Sequence, residues 1–226
     1  WPPRWHCLPG QQDGSSARGY VYAVLAAGCW ATGGLTAKWL FTAVSPATTS
    51  WPVPPLGIEM SPGVLAGGRA LAAFLVLLAY LLIARRRELV DSRASIPFLG
   101  VFGVLGLALV HFSYYKAISL TNVATAILLE YLAPVIVLIV GVLFLGYRLT
   151  WTLPLGVTLS VLGCALVVGA FGGDGLVVSP QGVLWGLLSA VFFESYGLMG
   201  RYAAGRLRTW SLLAWGLVFA ALFWLL

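Results

Sequence analysis

Charged residues are scarce in this sequence, since Asp, Glu, Lys and Arg make up only 9% of its 226 residues. An ordinary soluble domain carries about a quarter charged residues, so this chain lacks the groups that cover a water-facing surface. Hydrophobic residues reach 60%. The two figures together indicate a membrane protein whose main solvent is lipid.

Residues that hold metals or form disulfides are also few. The three cysteines, Cys7, Cys29 and Cys164, lie far apart, and there are only two histidines. This pattern predicts neither a disulfide framework nor a metal site. A phosphate-binding loop rich in Gly and ending in Lys-Ser/Thr is missing from the sequence, which excludes direct ATP hydrolysis of that type. We therefore predict no cofactor, no metal and no catalytic residue.

Basic residues exceed acidic ones, 13 against 7, but they form no stripe that would indicate nucleic-acid binding. They fall in short clusters between apolar runs, as membrane topology requires. Residues 1–19 lack the apolar core of a signal peptide and are predicted to be a cytoplasmic tail. The chain starts without Met and stops within the run LVFAALFWLL, so we expect a piece of a longer protein.

Seven apolar segments are long enough to span a bilayer, which takes about 20 residues. They are residues 20–43, 63–84, 97–119, 122–146, 151–171, 181–203 and 209–226. Lipid permits only helices or closed barrels, and these runs are too long for barrel strands. The sequence predicts an all-α, polytopic transmembrane helix bundle.

The cations set the predicted orientation. If the spans alternate, ten of them fall on one side: Arg4, Arg18, Arg85, Arg86, Arg87, Arg93, Arg148, Arg201, Arg206 and Arg208. The opposite loops contain no Lys or Arg, only Glu59 and Asp174. We expect a multi-pass protein of the cell membrane with a cytoplasmic N-terminus.

An internal repeat is visible when the chain is shifted by 163 residues. GYVYAVLAAGCWATGGLTAK then lies over GVLWGLLSAVFFESYGLMGR. The copies are separated by an odd number of spans and must enter the membrane in opposite directions, as in many secondary transporters. We predict inverted five-helix repeats, the first over residues 20–171 and the second incomplete over residues 181–226.

The stretch from YYKAISLTNVATAILLEYLAPVIVLIV to LFLGYRLT resembles the EamA-type transporters of the drug/metabolite transporter superfamily. Tyr115, Pro134 and Arg69 fit that resemblance, which implies two five-helix halves and transport of small metabolites. The chain departs from the family at Tyr147, where a Glu is usual, and in its longer external loop.

Ionisable side chains within spans are costly and usually face protein or water. Here they are Lys38, Arg69, His111, Lys116, Glu130 and Glu194. The three cations lie within roughly 10 Å of the predicted external boundary, where snorkelling to lipid headgroups is the alternative to a functional role. Trp30 and Lys38 share one face of the first span, which suits a cavity wall.

His111 and Glu130 lie at equal depth, about 12 Å from that boundary, with Tyr115 one turn above His111. They either join spans three and four by a structural hydrogen bond or line a central cavity in which Glu130 carries a proton. Glu194 lies deeper, as a coupling group or as a buried acid with a structural partner. Our candidates for substrate binding or coupling are Trp30, Lys38, Arg69, His111, Tyr115, Glu130 and Glu194.

A secondary transporter for an amino acid, organic acid or amphiphilic drug-like compound is the function predicted from these features. Its partners would be a small-molecule solute, the lipid bilayer and a coupling proton or ion. A membrane-embedded enzyme and a non-transporting receptor or structural protein are the alternatives. Neither a Gly-x-Ser nucleophile with a His partner nor a cluster of His and acids appears in the spans.

Overall fold

The computed structural model describes residues 15–45, 52–55, 60–88, 95–144, 150–167 and 178–226. These residues form helices and connecting turns, with no strand among them. The helices are α1 (Ser15–Phe41), α2 (Pro62–Ala84), α3 (Ile96–Gly103), α4 (Val110–Leu120), α5 (Val123–Glu130), α6 (Ala133–Phe144), α7 (Thr152–Val167), α8 (Pro180–Ala203) and α9 (Thr209–Leu225). A π-helical segment, Val104–Leu109, joins α3 to α4.

Four helical segments of the described residues are long and apolar enough to cross a membrane: Pro62–Ala84, Ile96–Leu120, Val123–Leu143 and Pro180–Ala203. Two shorter apolar helices cover Thr152–Leu166 and Thr209–Leu225. The helix α1 has 27 residues, which is sufficient length for a span, but it is not among the four helices that are also apolar enough. The all-α polytopic bundle predicted from the sequence is confirmed, and each predicted span contains a helix.

The structure divides into two units, Trp1–Thr36 and Ala37–Leu226. In the first unit, the hydroxyls of Thr32 and Thr36 donate to carbonyls of the preceding turn of α1, at Cys29 (2.9 Å) and Thr32 (2.7 Å). The second unit contains the last turn of α1 and all the other helices.

The helices α2 and α8 begin in the same way. Each is preceded by a serine whose hydroxyl accepts a backbone N–H of the first turn: Ser61 from Val64 at 3.3 Å and Ser179 from Gly182 at 3.0 Å. Proline follows the serine in both helices. Its fixed φ and missing N–H suit the first helical position. Ser-Pro therefore defines where both helices begin.

Predicted spans three and four are interrupted helices. In span three the interruption is the π segment, which the sequence did not predict. In span four it is the turn Tyr131–Leu132 between α5 and α6. Pro134 explains this break, because it has no N–H to donate to the carbonyl of Glu130. A proline inside an apolar span predicts a kink in the helix, and the structure has a break in the helix at this place.

Glycines allow close packing around α8 and α9. A Cβ atom at Gly103 would overlap the carbonyl oxygen of Gly216 and lie 2.7 Å from the Cβ of Phe219. One at Gly186 would lie 2.7 Å from the Cβ of Leu129. The glycines of spans three and five predict close approach of helix backbones; they are Gly100, Gly103, Gly106, Gly156 and Gly163. At Gly103 this prediction is confirmed.

The same prediction is wrong for α7 in the part of the chain that the structure describes. No atom lies within 4 Å of the place where a Cβ of Gly156 or Gly163 would stand. Several other predicted features lie outside the described residues, namely residues 1–14, Glu59, Arg93, Tyr147, Arg148 and Asp174.

Candidate functional site

Arg69 and Tyr115 form a hydrogen bond between α2 and α4. The Arg69 Nη1 donates to the Tyr115 hydroxyl oxygen at 2.8 Å. Tyr115 is buried, with 3% of its surface exposed, whereas Arg69 remains exposed. Arg69 therefore lies at the edge of the packed interior of the bundle.

His111 lies one turn before Tyr115 on α4, with its ring centroid 6.4 Å from that of Tyr115. Its Nδ1 is 2.6 Å from the carbonyl oxygen of Leu107 in the π segment. A carbonyl can only accept, so Nδ1 carries the proton of this bond. In the neutral ring Nε2 is then the acceptor.

Glu130 is the last residue of α5 and is bonded from α8. The Ser189 hydroxyl donates to the Glu130 Oε2 at 3.1 Å, and Ser189 is fully buried. Because α5 ends at Glu130, the negative end of the helix dipole lies beside the carboxylate and favours a compensating positive charge there.

Arg69 provides a positive charge near these groups. It interacts electrostatically with Glu130, His111 and Tyr114. Among the described residues, however, no ion pair within 4.0 Å joins Arg69 to Glu130. The two charges therefore influence each other without direct contact.

We name these residues the Arg69–Glu130 cluster: Arg69, His111, Tyr114, Tyr115, Glu130 and Ser189. They come from α2, α4, α5 and α8. His111 and Glu130, which could have bonded each other across spans three and four, instead bond Leu107 and Ser189. The structural hydrogen bond considered for this pair is not found among the described residues.

Lys38 has a different partner. Its Nζ donates to the carbonyl oxygen of Thr121 at 3.1 Å, and Thr121 follows the end of α4. A lysine ammonium at a helix C-terminus stabilises carbonyls that lack a helical donor. Lys38 thus joins the end of α1 to the α4–α5 turn.

Glu194 lies on α8 and Trp30 on α1. The carboxylate of Glu194 interacts electrostatically with Arg201 on the same helix, and its buried Oε1 has no hydrogen-bond partner in the described residues. Trp30 belongs to the first unit and is 50% exposed.

Ser189 was missed by sequence reasoning. Serines are common in transmembrane helices, where their hydroxyls usually bond the carbonyl of the preceding turn, as Ser195 does with Val191 at 2.9 Å. Ser189 lies between Gly186 and Ala190, in a run of small residues on one helix face. Such a run indicates that this face packs against another helix.

These features define an all-α, multi-pass membrane protein with a polar cluster between its helices. The sequence model that defines the EamA-like transporter family matches residues 17–169. The chain belongs to this family.

Two curated relatives have informative names. The chain is 33% identical over 146 residues to the "Pseudopaline exporter CntI" of Pseudomonas aeruginosa, an alignment that covers 65% of this chain and 50% of the exporter. It is 32% identical over 88 residues to the "Uncharacterized transporter YxxF" of Bacillus subtilis, covering 38% and 28% of the two chains. The chain spans about half the length of the exporter that it matches. No solved structure matches the chain.

Proposed function

We propose that this chain is the greater part of a secondary transporter that moves a small metabolite across the cytoplasmic membrane by alternating access. Its substrate and coupling site is the Arg69–Glu130 cluster. Residues 20–171 form the first of two inverted five-helix repeats, and residues 181–226 form the first two helices of the second. The tail, residues 1–19, lies on the cytoplasmic side.

The single observation that carries this proposal is the convergence of Arg69, Glu130 and Ser189 within membrane-length helices. Ionisable groups at such depth are rare unless they serve a pathway or a site. The Glu130–Ser189 bond also joins the two proposed repeats. A group contacted from both repeats can couple its binding state to their relative movement.

The substrate class follows from the chemistry of the cluster. A guanidinium recognises carboxylates and other planar anions, and Tyr114 and Tyr115 add aromatic surface next to it. An amino acid, an organic acid or an amphiphilic compound that carries an acidic group fits these donors. The name of the Pseudomonas aeruginosa relative supports export as the direction.

Transport by the intact protein tests the proposal. The full-length protein that contains this chain is reconstituted into vesicles, and a panel of labelled amino acids, organic acids and amphiphiles is scored for uptake. We expect at least one solute to accumulate, and Arg69→Ala to reduce its transport more than tenfold. Lys116→Ala is the control, because it removes a cation next to Tyr115 but outside the cluster.

Two results would argue against the proposal. If no solute of the panel moves while ligands still bind, a receptor is the better description. If Arg69→Ala and Lys116→Ala reduce transport equally, the transporter remains but the site lies elsewhere.

A further inference from the structure

The turn between α4 and α5 is bonded from both sides by side chains of other elements. Leu120 is the last residue of α4 and Thr121 follows it, and the final carbonyls of an α-helix lack an intrahelical donor. The Lys38 Nζ, from the last turn of α1, donates to the Thr121 carbonyl oxygen at 3.1 Å. The Ser179 hydroxyl, directly before α8, donates to the Leu120 carbonyl oxygen at 3.2 Å. We name Lys38, Leu120, Thr121 and Ser179 the clasp.

The first turn of α8 packs directly on the clasp. Thr121 is buried, with 5% of its surface exposed. A Cβ atom at Gly182 would overlap the methyl group of Thr121 and lie 3.5 Å from the Cβ of Leu120. Ser179 also accepts the backbone N–H of Gly182 at 3.0 Å, so one hydroxyl both caps α8 and bonds the turn. The clasp is therefore hydrogen-bonded and close-packed at the same place.

The clasp joins the two proposed repeats at one end of the bundle. Lys38, Leu120 and Thr121 belong to the first repeat, and Ser179 begins the first helix of the second. The asymmetry of the cations predicts that this end is external. Ser189, which bonds Glu130, lies about 15 Å further along α8. In alternating access, inverted repeats move against each other around the site, so opening at the external end requires the clasp to break.

We propose that the clasp is the external gate of the transporter and that the structure shows it closed. This inference rests on the proposed function, because a gate has meaning only if the Arg69–Glu130 cluster opens to each side in turn. Two hydrogen bonds, one of them from an ammonium group, hold the end together and can be exchanged for bonds to water when it opens. Lys38 is then a gate residue and does not contact the solute.

Access to Ala126 from the outside tests this inference. Ala126 is fully buried, and Asn122, Ala126 and Glu130 follow one another at four-residue spacing on one face of α5. A cysteine at this position therefore lies between the clasp and the Arg69–Glu130 cluster. Full-length protein without its native cysteines carries Ala126→Cys, and its rate of reaction with an impermeant thiol reagent is measured in intact cells.

The double variant Lys38→Met, Ser179→Ala removes both donors of the clasp. We expect it to raise the labelling rate of Ala126→Cys about fivefold or more, since losing two hydrogen bonds shifts a closed–open equilibrium towards the open state. Should this variant fail to fold, Lys38→Met alone keeps the cap of α8 and should raise the rate about threefold.

The matched control is the double variant Lys116→Met, Ser61→Ala. It also removes one lysine and one serine cap, because Ser61 caps α2 as Ser179 caps α8, but it leaves both donors of the clasp in place. We expect the labelling rate of Ala126→Cys to stay the same. Val53→Cys, at a side chain that is 64% exposed, should react at one rate in every variant and shows that the reagent has equal access.

Two outcomes would overturn the inference. The first is an unchanged labelling rate in both Lys38→Met variants. The second is an equal rise in the control variant, which would mean that the bundle loosens generally. Because labelling needs no solute, it is independent of the vesicle assay: unchanged labelling together with intact transport refutes the gate alone, whereas absence of solute movement in the unmodified protein refutes the proposed function.

Discussion

At the scale of single residues, the environment of Glu130 favours a nearby positive charge. It ends a short helix next to the break before Pro134, and its carboxylate accepts a hydrogen bond from a buried serine. Arg69 acts on it from α2, Tyr114 and His111 lie on α4, and Tyr131 follows it along the chain. A proton or a cationic group of the substrate could replace part of the compensation by Arg69.

The first prediction concerns the charge of Glu130. Glu130→Gln keeps the size of the side chain and an oxygen for the Ser189 hydroxyl, but it cannot take up or release a proton. We expect the transport rate to fall about tenfold or more and its dependence on pH to flatten. The reason is that the glutamine amide cannot act as an acid or a base at this position. Initial rates in vesicles from pH 5 to pH 9 measure this.

Glu194→Gln is the control for that experiment, because it removes the other acid within the described spans without touching the Arg69–Glu130 cluster. An unchanged rate and an unchanged pH profile in Glu130→Gln would eliminate Glu130 as a coupling group.

The second prediction concerns Ser189. Ser189→Ala removes the donor to the Glu130 Oε2 and leaves a buried oxygen without it, a loss of about 1–3 kcal/mol. We expect the pH at which transport is half-maximal to move, because the hydroxyl interacts differently with the charged and neutral carboxyl. Ser195→Ala, which removes a hydroxyl bonded within α8, should leave the profile in place.

If Ser189→Ala lowered the amount of folded protein but left the half-maximal pH unaltered, Ser189 would have a packing role only. Ser189→Thr restores a hydroxyl and should bring the profile back, provided that the extra methyl group is accommodated in the packed interface.

At the scale of elements, the helix boundaries were predictable because the length of an apolar run reflects the thickness of the bilayer. α2 and α8 begin within one residue of their predicted starts. The break before Pro134 was also visible in the sequence, since proline removes a helical donor. The π segment was not, because no residue pattern in Val104–Leu109 distinguishes a π-helix from an α-helix; in the structure the segment packs against α8 and α9.

The third prediction concerns the contact between α3 and α9. Gly103→Ala places a methyl group against the backbone of Gly216, which cannot move aside as a side chain can. We expect a loss of about 1–3 kcal/mol of stability, as overpacking usually costs, and a lower melting temperature in detergent. Thermal unfolding of the purified full-length protein measures it.

Gly163→Ala in α7 is the matched control for Gly103→Ala. No atom of the described chain lies within 4 Å of its added methyl group, and alanine favours a helix over glycine by about 1 kcal/mol. The melting temperature should therefore stay the same or rise. A fall as large as that of Gly103→Ala would show that the loss of stability does not come from the contact with α9.

At the scale of the whole molecule, the asymmetry of the cations predicts the topology, and the fourth prediction tests it. In a variant without its native cysteines, Arg86→Cys and Arg206→Cys should react with an impermeant thiol reagent from the same side of the membrane, and Val53→Cys from the other. Labelling of intact cells and of inverted vesicles distinguishes the sides. Reaction of Arg86→Cys and Arg206→Cys from opposite sides would contradict the proposed repeats.

Part of the candidate site could also be predicted from the sequence. Arg69, His111 and Glu130 stand out because ionisable residues are rare within apolar spans, and the structure brings them together. The partners of Glu130 and Lys38 could not be predicted. They depend on how α8 rotates against α5 and on which carbonyl α4 leaves without a donor, and both follow from packing between helices.

The contact of Gly103 with Gly216 has a mechanical consequence. Where two main chains touch, no intervening side chain can change rotamer to absorb displacement, so the helices cannot slide or separate there without losing the contact outright. The contact joins the last residue of α3 to the middle of α9. We therefore expect any relative movement of these two helices to be a rotation about this point and not a translation.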